Sequence, residues 1–126
     1  MPPESAPLFC DLSVMPESGQ EQVTALAEKL FPGAAEVREL PDGYALAFHD
    51  ASAEVISDLA AFVALDRLCC AFLRHAVVSE PGSGTVWLEL TGQQGAKEAI
   101  AATVDDLLPH GLPARKPVTA GIDDGG

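Results

Sequence analysis

Residues 35–48, Ala35-Glu-Val-Arg-Glu-Leu-Pro-Asp-Gly-Tyr-Ala-Leu-Ala-Phe48, decide the fold class. Two short runs flank Pro41-Asp42-Gly43. Proline presets the backbone for a turn, aspartate bonds to its own local chain, and glycine tolerates the positive φ that tight turns need. In the second run Tyr44, Leu46 and Phe48 alternate with Ala45 and Ala47, which gives a strand one bulky face and one small face. The predicted unit is an antiparallel hairpin, residues 35–40 against residues 43–48.

The pattern extends outward in both directions. Upstream, residues 8–14 predict a short strand, and Ser18 followed by Glu21 has the spacing of a capping box. Val23, Leu26, Ala27, Leu30 and Phe31 then form an apolar stripe at helical spacing, stopped by Pro32-Gly33. Downstream, Asp50 or Ser52 is placed to cap a long helix from Ala53 to Leu73 or Arg74. Strands at residues 75–79 and 85–90 face each other across Pro81-Gly-Ser-Gly84, and a last helix covers residues 94–108. The order β-α-β-β-α-β-β-α, with short connections and one-sided helices, predicts an α+β two-layer sandwich: an antiparallel sheet of about five strands with helices mainly on one face. Residues 1–112 read as a single domain and residues 113–126, rich in Pro, Gly, Ala and Asp, as a flexible tail.

A chain of 126 residues, 48% hydrophobic and 21% charged, has the composition of one globular domain. It carries 19 acidic against 7 basic residues, a formal net charge of -12. The cations Lys29, Arg38, Arg67, Arg74 and Lys97 are scattered, so nucleic-acid binding is not expected. No basic segment precedes an apolar core at the N-terminus, and no apolar run matches the thickness of a bilayer. The expectation is a cytoplasmic protein with no membrane partner. Three cysteines, an odd number, argue against a closed disulfide framework.

On a wheel of about 100° per residue, Val55, Leu59, Phe62, Val63 and Leu73 share the face of the long helix that packs on the sheet. Asp66 falls on that same face, with Cys69 and Cys70 on either side. Their i, i+3, i+4 spacing brings the three side chains together. A lone buried carboxylate is costly unless it is hydrogen-bonded, paired, protonated or bound to a metal. Thiolates beside it are the form of cysteine that holds metals and attacks electrophiles. Arg67 and Arg74 lie near the rim and are placed to pair with Asp66 or a thiolate. Cys10, on the first predicted strand, approaches the pair if that strand lies under the helix. His75, just past the helix, is the best fourth ligand; His49 and His110 read as surface or capping residues.

Cys10, Asp66, Cys69, Cys70 and His75 are therefore the candidate ligands for a soft metal, Cu(I), Zn²⁺ or Hg²⁺. The ordinary structural alternative has Cys69 and Cys70 as small core residues and Asp66 held by a nearby cation. The paired Cys-x-x-Cys arms of a zinc ribbon are absent. A second reading is a thiol-dependent enzyme built on Cys69, Cys70 and Asp66, either redox-active or similar in residue type to organomercurial lyases. A third reads no chemistry at all. Leu65, Leu68 and Phe72 point away from the sheet-facing side of the helix, and such a surface predicts a homodimer.

The segment Asp66-Arg-Leu-Cys-Cys-Ala-Phe-Leu73 resembles a small, largely uncharacterised bacterial protein family whose shared helix reads Glu-x-x-Cys-Cys-Pro-Phe-Leu. The family's later phrase, Leu-x-Leu-Thr-Gly-Pro-x-Gly-Ala-Lys, is similar to Leu88-Glu-Leu-Thr-Gly-Gln-Gln-Gly-Ala-Lys97 here, with Gln93 in place of proline. The resemblance covers most of residues 8–108 and implies that Cys10, Asp66, Cys69 and Cys70 form the polar site. Asp66 replaces the family's glutamate and Ala71 its proline.

Overall fold

In a computed structural model, which describes residues 11–49 and 51–108 with the side chain of Asp106 excepted, the hairpin forms as the sequence predicts. β1 (Glu36–Leu40) pairs antiparallel with β2 (Gly43–Phe48), Leu40 opposite Gly43. Gly43 is required by a close approach: a Cβ there would lie 1.9 Å from the carbonyl oxygen of Leu90 on the neighbouring strand. The remaining elements are α1 (Glu17–Leu30), α2 (Ala53–Cys69), β3 (Leu73–Ser79), β4 (Val86–Gly92) and α3 (Ala96–Val104). One antiparallel sheet runs β1-β2-β4-β3, so β3 is an edge strand.

The α+β class is as expected, but the described residues hold four strands. Leu12–Val14 is a 3-10 turn in place of the end of a first strand. The Asp11 side chain accepts from the Ser13 backbone N–H at 3.1 Å, a local bond that curls the chain away from extended geometry. Residues 8–10 of that expected strand lie outside the described residues, as do residues 113–126 of the expected tail. No described helix is long and apolar enough to cross a membrane.

Helix α1 begins one residue before Ser18. Pro16 is its N-cap, and its carbonyl accepts from Gln20 N–H at 3.1 Å, so the Ser18 box is not used. For α2 the cap is Ser52, whose hydroxyl accepts from Val55 N–H at 3.2 Å. This helix stops at Cys69, four or five residues short of the expected end. Cys70 leaves helical geometry at φ -108, ψ 63. No glycine or proline stops it there. Residues 73–79 are instead drawn into seven register positions against β4, from Leu73 opposite Gly92 to Ser79 opposite Val86.

The main core lies between one sheet face and the three helices. Tyr44, Leu46, Leu88 and Leu90 meet Leu59 and Phe62 of α2, with Ile100 of α3 closing one side. Phe31 and Phe62 stack edge-to-face at 5.3 Å between centroids. Trp87 alternates out of phase with Val86 and Leu88, and accordingly packs with Ala45 and Ala47 on the opposite sheet face, the Arg38 guanidinium 4.3 Å from its ring. The surface expected of Leu65, Leu68 and Phe72 is divided. Leu65 and Phe72 pack partly buried against the main core, and Leu68 alone is largely exposed, at 44%. For Leu65 the cause is that α2 packs on α1 as well as on β3, so its apolar surface is used on two sides; Phe72 lies past the end of the helix.

Candidate functional site

The last turn of α2 presents three side chains to one point. Asp66 comes from within the helix, Cys69 is its final residue and Cys70 its C-cap, with Cys70 N–H bonded to the Asp66 carbonyl at 2.7 Å. The turn is fixed from outside by Asp11, whose backbone N–H donates to the Cys69 carbonyl at 2.8 Å. Beyond it, Leu73 N–H bonds to the Cys70 carbonyl at 3.0 Å and the chain enters β3. Gly92 makes room for this turn: a Cβ there would sit 2.9 Å from the Phe72 carbonyl oxygen.

Strand alternation then brings in His75. It stands opposite Leu90, a core residue, and so points beneath α2 rather than outward. Its Nε2 lies 2.7 Å from Asp66 Oδ2, and the two side chains are only 3% and 13% exposed. The other carboxylate oxygen faces sulfur. Asp66 Oδ1 is 3.7 Å from Cys69 Sγ and 3.5 Å from Cys70 Sγ, and the two sulfurs are 3.9 Å apart. The carboxylate therefore bridges an imidazole on one side and two sulfurs on the other.

The sulfurs differ in state. Cys69 is a free, buried thiol. Burial first, then the charge of Asp66 and the hydrogen bond to it, push its pKa up to about 11. Cys70 is held in a disulfide, so its contact with Asp66 involves no S–H donor. The expectation of an undivided set of thiols is corrected accordingly for this pair: Cys69 is a thiol and Cys70 a half-cystine. Cys10 lies outside the described residues.

Of the five residues expected at the site, Asp66, Cys69, Cys70 and His75 converge. The arginines do not join them. Arg74 projects from the other face of β3, 3.7 Å from Glu89, and Arg67 is exposed and makes no ion pair with Asp66. His49 is a half-exposed surface residue, its Nδ1 3.0 Å from Thr85 Oγ1. Sequence reasoning did not find the cavity beside the cluster. It has a volume of about 200 Å³ and runs between α1, α2 and α3, lined by apolar groups such as Val23, Phe62 and Ile100, with Asp66, Cys69 and Cys70 also in its wall. Its one legible signal was small residues, Ala27 and Ala99, on the inner faces of two helices.

No family model matches the chain, and no curated protein or solved structure matches it.

Proposed function

We propose that the cluster, in its reduced form, binds a soft metal ion, Cu(I), Zn²⁺ or Hg²⁺, through Cys69, Cys70 and Asp66. The observation that carries this reading is a triangle of distances. In a tetrahedral Zn²⁺ site with Zn–S near 2.3 Å and Zn–O near 2.0–2.2 Å, two sulfurs stand about 3.8 Å apart and a sulfur and an oxygen about 3.5 Å. The corresponding separations here are 3.9, 3.7 and 3.5 Å. Three donors from one helix turn thus already have nearly the spacing of one face of a coordination tetrahedron.

The His75–Asp66 pair supports the same reading. A ligating carboxylate is commonly oriented by a hydrogen bond to its other oxygen, and Asp66 Oδ2 has that partner at 2.7 Å. His75 acts here as the orienting group. Two equivalents of a small thiol reduce the Cys70 disulfide, leaving the Cys70 thiol and the thiol of its former partner and releasing the small disulfide; the Cys70 thiol completes the donor set. Metal binding then displaces the thiol protons to solvent.

The test is a titration of the full chain, reduced with a phosphine, with each metal, followed by thiolate-to-metal charge-transfer absorption. Stoichiometric uptake by the wild type that is lost in the Cys69→Ser/Cys70→Ser variant is the expected result. Equal uptake by both proteins ends the reading.

A second reading, thiol–disulfide exchange, draws on the free Cys69 sulfur lying 3.9 Å from the half-cystine Cys70. The attacking species must be a thiolate. With a pKa of about 11, Cys69 is ionised in roughly one molecule in ten thousand at neutral pH. The raised pKa weighs on both readings, but exchange needs the free thiolate as attacker, whereas a metal displaces the proton as its bond to sulfur forms, so metal binding is the stronger reading.

A further inference from the structure

The cavity and the donor cluster share a wall, and their chemistries are complementary. Asp66, Cys69 and Cys70 form the polar part of a space otherwise lined by side chains such as Val23, Phe31, Phe62 and Ile100. A bare metal ion needs no apolar chamber of about 200 Å³ beside its ligands. An apolar cavity of about 150 Å³ already accommodates a benzene ring. We infer that the ligand is an organometallic cation, a soft metal bearing one small apolar or aromatic substituent, with the metal on the Cys69–Cys70–Asp66 face and the substituent in the cavity.

The inference rests on the metal-binding reading and adds the class of ligand. An apolar carbon electrophile is the less suited occupant: it uses a single sulfur, whereas the cluster offers three donors at coordination spacing. Three protein donors also leave a coordination position for the substituent. Binding is balanced as follows. A thiol S–H bond breaks and its proton passes to solvent, a sulfur–metal bond forms, and the anion that accompanied the organometallic cation leaves. The metal–carbon bond is untouched.

The experiment uses the full chain, reduced with a phosphine, and titrates it with mercuric chloride, methylmercury chloride and phenylmercuric acetate in competition with a small monothiol. The expected result is a preference for phenylmercury over methylmercury at least about tenfold greater than the monothiol shows, the effect of burying a ring-sized apolar group. Ala27→Leu and Ala99→Leu, which fill the cavity from two different helices, should each erase that preference while Hg²⁺ uptake continues. Circular dichroism identifies which variants are folded, and the wild-type preference stands as a test without either. If Hg²⁺ binds but phenylmercury and methylmercury divide as they do on the monothiol, this inference is overturned and the metal-binding reading survives. If no mercury species binds the reduced chain, both are overturned.

Discussion

His75 Nε2 lies 2.7 Å from Asp66 Oδ2, a buried bond that joins the edge strand β3 to the last turn of α2. It satisfies the carboxylate that the helix wheel places on the core side, and it fixes which oxygen faces the sulfurs.

Removing either partner leaves the other buried with one bond fewer. His75→Ala should lower stability by roughly 2 kcal/mol, and a double-mutant cycle with Asp66→Ala should return a coupling of roughly 1–3 kcal/mol. Urea unfolding of the four proteins measures it. Additive single losses would show that the pair contributes nothing as a pair.

Cys69 should respond to alkali. Its folded-state pKa is raised from 9.0 to about 11, so the folded chain holds the thiol proton more tightly than the unfolded chain does. Between those values the unfolded state binds fewer protons, and stability falls as pH rises. This contribution is fully present below about pH 9 and is lost by about pH 11. Iodoacetamide labelling of the native protein should accelerate across the same interval. A labelling midpoint near neutral pH would contradict the burial of this thiol beside a carboxylate.

Metal affinity carries the opposite sign. Each thiol proton displaced makes apparent affinity rise about tenfold per pH unit while the thiol remains protonated. Competition titrations of the reduced chain at pH 6, 7 and 8 should therefore show a slope of at least one in log affinity, given Cys69 alone. A flat profile would mean that Cys69 is not a ligand.

The two adjacent cysteines should be chemically distinguishable. Denatured without reductant, the chain should take an alkylating label at Cys69 and none at Cys70; after reduction both should be labelled. Peptide mapping by mass spectrometry reads the result directly. Label on Cys70 before reduction would remove the disulfide from the description of the site.

At the other end of the sheet, Gly43→Ala should be severely destabilising, by roughly 3 kcal/mol or more, since overpacking against backbone has no side chain to yield. The added Cβ would meet Leu90 O at 1.9 Å and Thr91 Cα at 2.8 Å. Denaturant unfolding checks it, and a variant as stable as the wild type would mean that β2 and β4 separate easily there.

Local chemistry made much of this legible in the sequence. Pro41-Asp42-Gly43 and the alternation of Tyr44, Leu46 and Phe48 specify β2 to the residue, and Ser52 is the cap it resembles. Asp66, Cys69 and Cys70 meet because they stand at i, i+3 and i+4 across the last turn and C-cap of one helix. The end of α2 was not legible. Leu68 to Leu73 contains no helix-breaking residue, and what ends the helix is pairing between β3 and β4, a long-range interaction. Phe72 was misplaced because it lies past the true end of α2, and the role of Leu65 was missed for a related reason. A wheel with one inner face cannot represent a helix packed on both α1 and the sheet. The cavity depends on what three helices leave unfilled between them, a quantity that no single segment carries.

Every polar group of the described cluster belongs to ten consecutive residues, 66–75. Closing so short a loop removes little chain entropy, whether or not an ion sits in it. Occupancy of these groups thus tethers only a helix and a strand that are already neighbours in the chain. Chelation should empty such a centre without dismantling the sheet behind it, unlike a finger-type domain, whose distant ligands come together only around their ion.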